Sequence, residues 1–240
     1  MKYFVVSDVH SCYDELMIAL KSNNFDMTNP HHKLVVCGDL FDRGSQSIEV
    51  FEFVKELQAQ DRLIYVKGNH EELLGECVNE FCCGKVPGEH HIYNGTTNTI
   101  IQFCNNKKLY IGNKASIKTV KERMRPILQF IDDNCVDYFE IGNYIFVHGW
   151  IPLDVDYKNA DSDYWSEARW TNGMEMWWLN PESRLPNKTI VCGHVFSNWG
   201  HNKIHKVGKI MDCPFVDDGI IAIDGRVVES RHINCIVIED

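Results

Sequence analysis

Five blocks of this chain carry groups that can do chemistry: Asp8-Val9-His10, Gly38-Asp39-Leu40-Phe41-Asp42-Arg43-Gly44, Gly68-Asn69-His70-Glu71, His148-Gly149 and Gly193-His194. Each follows directly on a short apolar run, at residues 2–7, 33–37, 62–67, 144–147 and 189–192. Carboxylate, amide and imidazole groups at the tips of buried strands are costly to desolvate unless a cation meets them. The pattern therefore reads as a metal centre. Asp8 and His10, two apart on an extended tip, point the same way and can grip one ion. Glycines in the second block permit a tight turn, and Asp39 can offer one oxygen to each of two cations. Asn69 adds an amide oxygen, and His70 can keep a proton and donate it if a carboxylate such as Asp42 orients its ring. His148 and His194 contribute nitrogen. Mixed oxygen and nitrogen donors suit manganese, iron or zinc better than calcium.

In this order the blocks resemble the calcineurin-type metallophosphoesterase superfamily, whose motifs run D-x-H, G-D-x-x-D-R-G, G-N-H-E, H and G-H. The likeness extends from Asp8 to the final strand. Within the superfamily it is nearest the phosphoprotein-phosphatase branch of bacteria and phages, which includes symmetrical diadenosine tetraphosphatases. The Asp-Arg-Gly and Asn-His-Glu endings carry that placement, together with Phe196 where many phosphodiesterases and nucleases have a second histidine after Gly193-His194.

The resemblance implies two divalent or trivalent transition-metal ions, with manganese the first expectation and iron or zinc the others. One would sit on Asp8, His10 and Asp39, the second on Asp39, Asn69, His148 and His194. It further implies that Arg43 binds phosphate oxygens, with Asn69 and His70 beside it, and that His70, supported by Asp42, acts as acid toward the leaving group. Arg169, in Trp165-Ser166-Glu167-Ala168-Arg169-Trp170, is the candidate for a second phosphate-binding arginine. Three places depart from the pattern. Ser11 stands where glycine usually follows D-x-H, Trp150 follows His148-Gly149, and Ile223-Asp224-Gly225-Arg226 replaces I-D-T-G. None removes a ligand; Trp150 either reshapes the groove or simply packs.

Two cations about 3.5–4 Å apart lower the pKa of a shared water from about 15.7 to near neutral, so the expected reaction is in-line attack by a hydroxide bridging them. The expected function is hydrolysis of phosphate monoesters, with protein serine/threonine phosphatase character. A symmetrical dinucleoside polyphosphate (Ap4A) hydrolase is the alternative that uses the same site. A non-catalytic binding module is the alternative of another class, and retention of every ligand together with Arg43 and His70 argues against it.

The elements that must position these groups alternate as in an α/β protein. Helical spacing predicts helices over 13–22, 45–59 with Ser45 as N-cap, 71–83, 96–105 and 117–132; strands return over 144–147, 189–192, 219–223 and 234–238. The fold class expected is α/β (α+β): a four-layer αββα sandwich of two mixed sheets flanked by helices, with the site at the carboxyl ends of strands. Residues 1–240 read as a single domain with a helical, cap-like segment near 71–135. The stretch 154–187 is long and tryptophan-rich, and Asp161-Ser162-Asp163 reads as the cap of a short helix.

With 240 residues and 44% apolar content the chain can bury a substantial core. A formal charge of −10 disfavours extended nucleic acid as a partner and leaves a phosphorylated substrate, whether phosphoprotein, small phosphoester or nucleotide. The opening apolar run reaches Asp8 too soon for a signal-peptide core or a membrane span. The ten cysteines lack a C-x-x-C pair and read as reduced thiols of a cytoplasmic protein. His31-His32 and His90-His91 read as exposed, His201 and His205 as loop residues, and Glu71 as support for a ligand rather than a ligand.

Overall fold

A computed structural model describes every residue except Asn106, Asp154 and Asp240, so the first residue of the tryptophan-rich stretch lies outside the described residues. Strands β1 (Lys2–Val6), β2 (His32–Cys37), β3 (Leu63–Val66) and β4 (Cys135–Val136) precede β5 (Phe139–Ile141), β6 (Tyr144–Phe146), β7 (Thr189–Cys192), β8 (Phe215–Asp217), β9 (Ile220–Ala222) and β10 (Ile236–Glu239). Helices α1 (Tyr13–Ser22), α2 (Ser47–Ala59), α3 (Asn69–Cys82), α4 (Glu89–Tyr93), α5 (Thr96–Phe103) and α6 (Lys114–Asn134) fall in the first part. The second part carries α7 (Ser162–Arg169), α8 (Gly173–Leu179), α9 (Ser197–Lys203) and α10 (Val227–Ser230).

The strands form two five-stranded mixed sheets, ordered β10-β1-β2-β3-β4 and β5-β6-β7-β9-β8. In the first, β1 to β4 run parallel and β10 closes one edge antiparallel to β1. In the second, β6, β7 and β9 are parallel, with β5 and β8 antiparallel at the edges. Strand alternation divides the core into layers. Phe4, Val6, Leu34 and Val36 face the helices, packing on α1, α2, α3, α5 and α6 through residues such as Leu16, Val54, Leu74 and Ile127. Their neighbours Tyr3, Val5, Val35 and Cys37 face the other way and meet Phe146, Val191 and Ile223 between the sheets. On the far side Ile145, Ile190 and Ala222 pack against Trp165, Met174 and Trp177 of α7 and α8. Helices, sheet, sheet, helices is the four-layer order expected from the sequence.

Local differences from the expected elements have physical causes. The second helix begins at Ser47 with Gln46 at the N-cap, not at Ser45. The backbone before it is tied down instead, with Gly44 N–H donating to His10 O at 3.0 Å and Gln46 N–H to Ser11 O at 2.9 Å. Asp161 does cap α7, accepting from the N–H groups of Asp163 and Tyr164. His32 is buried rather than exposed, its ring 4.9 Å from that of Phe4, and Nδ1 accepts from Asp26 N–H at 3.0 Å. His91 is also fully buried, whereas His31 and His90 are exposed as expected. All ten cysteines are free. No helix among the described residues is long and apolar enough to cross a membrane.

The layer between the sheets decides how the two halves of the ligand set meet. Phe146 is fully buried there. Phe146→Ala is expected to cost about 3–5 kcal/mol, read as a lowered midpoint of urea unfolding; a loss below about 1 kcal/mol would mean that this layer does not hold the sheets together.

Candidate metal centre

Parallel strands end together, so β1, β2 and β3 deliver Asp8, Asp39 and Asn69 to one rim while β6 and β7 deliver His148 and His194 from the facing sheet. Two bonds join the sheets at that rim. His194 N–H donates to the Asp8 carboxylate at 3.0 Å, and His148 Nδ1–H donates to Cys37 O at 2.8 Å.

Asp39 occupies the middle. Its Oδ1 lies 3.3 Å from His148 Nε2 and accepts from His70 N–H at 3.0 Å. Its Oδ2 lies 3.8 Å from His10 Nε2 and 3.9 Å from His70 Nε2. The carboxylate thus presents one oxygen to each side of the cluster. Asp8 Oδ1 is 4.0 Å from His10 Nε2, and Asn69 Oδ1 lies 2.7 Å from His148 Nε2 and 3.0 Å from His194 Nδ1. The structure therefore brings Asp8, His10, Asp39, Asn69, His148 and His194 into one place, and Asp39 is common to two groups whose potential ligand atoms lie within 4.8 Å of one another, His10-Asp39-His70 and Asp39-His148-His194, with Asp8 beside the first.

The protons on these rings test whether a cation fits. With the His148 proton on Nδ1, facing Cys37 O, and the His194 proton on Nε2, 3.1 Å from Trp170 O, both neutral rings hydrogen-bond to backbone carbonyls, the tautomers in which they can ligate a cation. His10 Nδ1 likewise donates to Phe41 O at 3.0 Å. The opposite nitrogens are then bare lone pairs. Those of His148 and His194 converge on the Asn69 oxygen, and His10 Nε2 is buried with no hydrogen-bond partner. Facing lone pairs repel unless something positive lies among them. The observed spacings approach the roughly 3.0–3.4 Å between donor atoms that share one ion at bond lengths near 2.1 Å. The residues fit two ions bridged by Asp39.

Electrostatics point the same way. Burial holds the His10 imidazole well below its ordinary pKa, helped by Arg43 and His70, and burial with His148 nearby brings His194 down to about 3. Neutral imidazoles are what a metal requires. Burial pushes the Asp39 carboxyl well above its ordinary range, with Asp8 and Glu71 adding to the effect. A cation between these groups would relieve that cost.

The backbone is shaped for this convergence. Asp8, His10, Asp39, Asp42, Arg43 and His194 all have left-handed φ, between 47° and 73°. Each such residue costs on the order of 1–3 kcal/mol and is held only where its surroundings demand it. Ser11, where the resembled family has glycine, is left-handed too (φ 54°), and its hydroxyl meets Ser47 Oγ at 2.8 Å. Gly38 has φ 83°, and a Cβ there would run into the His148 ring and Gly68 Cα. A Cβ at Gly68 would meet Asp39 and Glu71.

His70 forms a second arrangement on the same rim. Its Nδ1 lies 2.8 Å from Asp42 Oδ2 and its Nε2 lies 3.3 Å from Arg43 Nη2. Burial alone would lower the His70 pKa, but Asp39 and the hydrogen-bonded Asp42 outweigh it and raise the value. Asp42 is itself clamped by the hydroxyls of Thr96 and Thr99 at 2.8 and 2.7 Å. Sequence reading missed both threonines; the spacing i, i+3 at the start of a helix, one face with two hydroxyls, was the available signal. Beside Arg43 opens a cavity of about 490 Å³ lined by Tyr93, Asn94, Asn98 and Phe196.

Arg169 and His201 are placed differently from expectation, and for Trp150 the packing alternative holds. Arg169 is buried, and its guanidinium is engaged by Glu72 and Asp137 rather than by any residue of the cluster. A guanidinium flanked by two carboxylates has little charge to offer a phosphate, and its visible effect is to tie α7 to α3. Trp150 is buried in the core beyond the second sheet, so it packs and does not line the groove; half-exposed Trp170, with its ring 6.0 Å from that of His194, is the tryptophan at the rim. His201 is buried and lies 3.2 Å from Cys213 O, and His205 pairs with Asp217, away from the cluster.

The family model for calcineurin-like phosphoesterases matches residues 1–217. The chain belongs to that family. It is 41% identical over 76 residues to the asymmetrical bis(5'-nucleosyl)-tetraphosphatase PrpE of Bacillus subtilis, covering 29% of this chain and 31% of that protein. It is 42% identical over 71 residues to a symmetrical bis(5'-nucleosyl)-tetraphosphatase of an Enterobacter species, covering 30% of this chain and 24% of the other. The chain thus matches less than a third of the length of these curated relatives. Among solved structures, a cold-active protein-tyrosine phosphatase of a psychrophilic Shewanella shares the fold (TM-score 0.59, 18% identity, all of this chain and 75% of that one). A putative diadenosine tetraphosphatase does so too (TM-score 0.53, 16% identity, 100% and 94% covered).

Glu71 is the group that holds the Asp39 loop in place. Its carboxylate accepts from the N–H groups of Asp39, Leu40 and Gly68 at 3.0, 3.0 and 2.7 Å, and from Tyr65 O–H at 2.7 Å. Glu71→Gln is expected to weaken metal affinity by about 10- to 100-fold while the protein stays folded, as read by metal titration against circular dichroism. Unchanged affinity would deny Glu71 that role.

Proposed function

We propose that this protein is a metal-dependent hydrolase of phosphate monoesters, with phosphoserine or phosphothreonine of proteins as the substrate class. The observation that carries this reading is the pairing of a carboxylate flanked by imidazoles on both oxygens with a His70–Asp42 contact of 2.8 Å on the same rim. Asp8, His10, Asp39, Asn69, His148 and His194 would hold two transition-metal ions, manganese first and iron or zinc next. Bound ions would make a water acidic enough to ionise near neutral pH and polarise the phosphoryl group.

The chain's own side chains do the rest. Arg43 reaches the rim from a left-handed turn and would hold phosphate oxygens in the fork geometry guanidinium favours. Asp42, fixed by Thr96 and Thr99, orients the His70 ring by taking its Nδ1–H, which leaves Nε2 to deliver a proton to the departing oxygen.

A second reading, hydrolysis of a dinucleoside polyphosphate, has specific support in the cavity beside Arg43. Tyr93 and Phe196 offer faces on which a base can stack, Asn94 and Asn98 offer amide donors and acceptors, and the tetraphosphatase relatives named above point the same way.

With p-nitrophenyl phosphate and added manganese, His70→Asn is expected to lower kcat by about 10²- to 10⁴-fold and Asp39→Asn to abolish turnover; an unaffected Asp39→Asn enzyme would remove the bridging ligand. Chelator should silence the wild type, and full activity in chelator would end the metal-dependent reading. Assayed side by side, a phosphopeptide is expected to outperform diadenosine tetraphosphate. Preference for the nucleotide by orders of magnitude, lost in Tyr93→Ala, would establish the second reading instead.

A further inference from the structure

A second group of potential ligands lies on the helical face away from the Asp39 cluster. Glu76 and Glu80, one turn apart on α3, lie on the face against which α4 folds back carrying His90 and His91. One donor atom each from Glu76, His90 and His91 falls within 4.8 Å of the others. The His91 side chain is 1% exposed, yet neither ring nitrogen has a hydrogen-bond partner. Its Nε2 stands 3.6 Å from Glu80 Oε2, outside hydrogen-bonding range, while that oxygen accepts from Gly88 N–H at 3.1 Å. A buried imidazole idle at both nitrogens is costly unless something meets it. The His90 ring lies against it, centroids 3.9 Å apart.

Two imidazoles and a carboxylate are a donor set for zinc or a similar borderline ion, not for calcium or magnesium. We propose that Glu76, His90 and His91 bind one divalent transition-metal ion, zinc by donor chemistry, at a site distinct from the Asp39 cluster, with Glu80 positioning the pair from beside it. The ion joins α4 to α3. Its place in the fold gives it a consequence for the rim, because α4 runs through Gly95 into Thr96 and Thr99, which clamp Asp42, and α3 begins at Asn69 and His70. Zinc here ties α4, which leads into the α5 threonines that clamp Asp42, to α3, which begins at His70. The site does not depend on the phosphoesterase reading.

The test uses the full chain stripped of metal and titrated with zinc against a chromophoric chelator, in parallel with Glu76→Gln and His90→Asn, both at exposed positions. Wild type is expected to take up one equivalent more than either variant, whatever number the Asp39 cluster takes. Zinc at that added equivalent should also slow amide exchange across residues 84–95 in wild type and leave it unchanged in the variants. Equal stoichiometry in all three proteins overturns the proposal, and so does unaltered exchange in wild type, a readout that needs no variant.

Discussion

A single buried carboxylate, that of Asp39, sets the terms for the rest of the structure. Taken from water without a counter-charge it is destabilising, and its neighbours are arranged around that fact. Three backbone amides and a tyrosine hydroxyl fix Glu71, which fixes the Asp39 loop from behind. Imidazoles with their protons turned outward surround it in front. The left-handed turns at Asp8, His10, Asp39 and His194 are the conformational cost of aiming so many donors inward, and the two packed sheets supply the rigidity that sustains it.

Burial and ligation also explain the division of labour among histidines. His10, His148 and His194 each donate one nitrogen to a backbone carbonyl, which fixes ring and tautomer together and keeps the other nitrogen free of protons. His70 differs in one contact only. Its Nδ1 meets the carboxylate of Asp42 rather than a carbonyl, and Asp39 together with that bond raises its pKa against the pull of burial, while burial takes those of His10 and His194 down. The same ring chemistry suits His10, His148 and His194 as candidate ligands and His70 as a candidate proton donor.

Much of this was legible in the sequence because apolar runs ending in polar groups report strand tips directly. The tips that deliver Asp8, Asp39, Asn69, His148 and His194 were read correctly, as were α1 and most of α2, α3 and α6. The short β6 and β9 were also read, but β4, β5 and β8 were not. Two- and three-residue strands such as β4, β5 and β8 exist because neighbouring strands recruit them, and so few residues carry no periodicity. Burial of His32 and His91 was hidden for a related reason: both sit beside turn-forming residues, and only packing onto Phe4 or α3 removes them from solvent. Arg169 shows the limit of carrying a role over by motif, since its partners Glu72 and Asp137 lie far away in sequence and nothing local announces them. Thr96 and Thr99 were invisible until α5 was placed over Asp42.

The distribution of the ligand set between two sheets bears on how the chain matures. As the polypeptide leaves the ribosome, Asp8, His10, Asp39 and Asn69 emerge well before His148 and His194, and the first sheet's parallel strands can form around an acidic, half-built cluster. A rim that encloses all six candidate ligands therefore exists only once the second sheet has docked on the first.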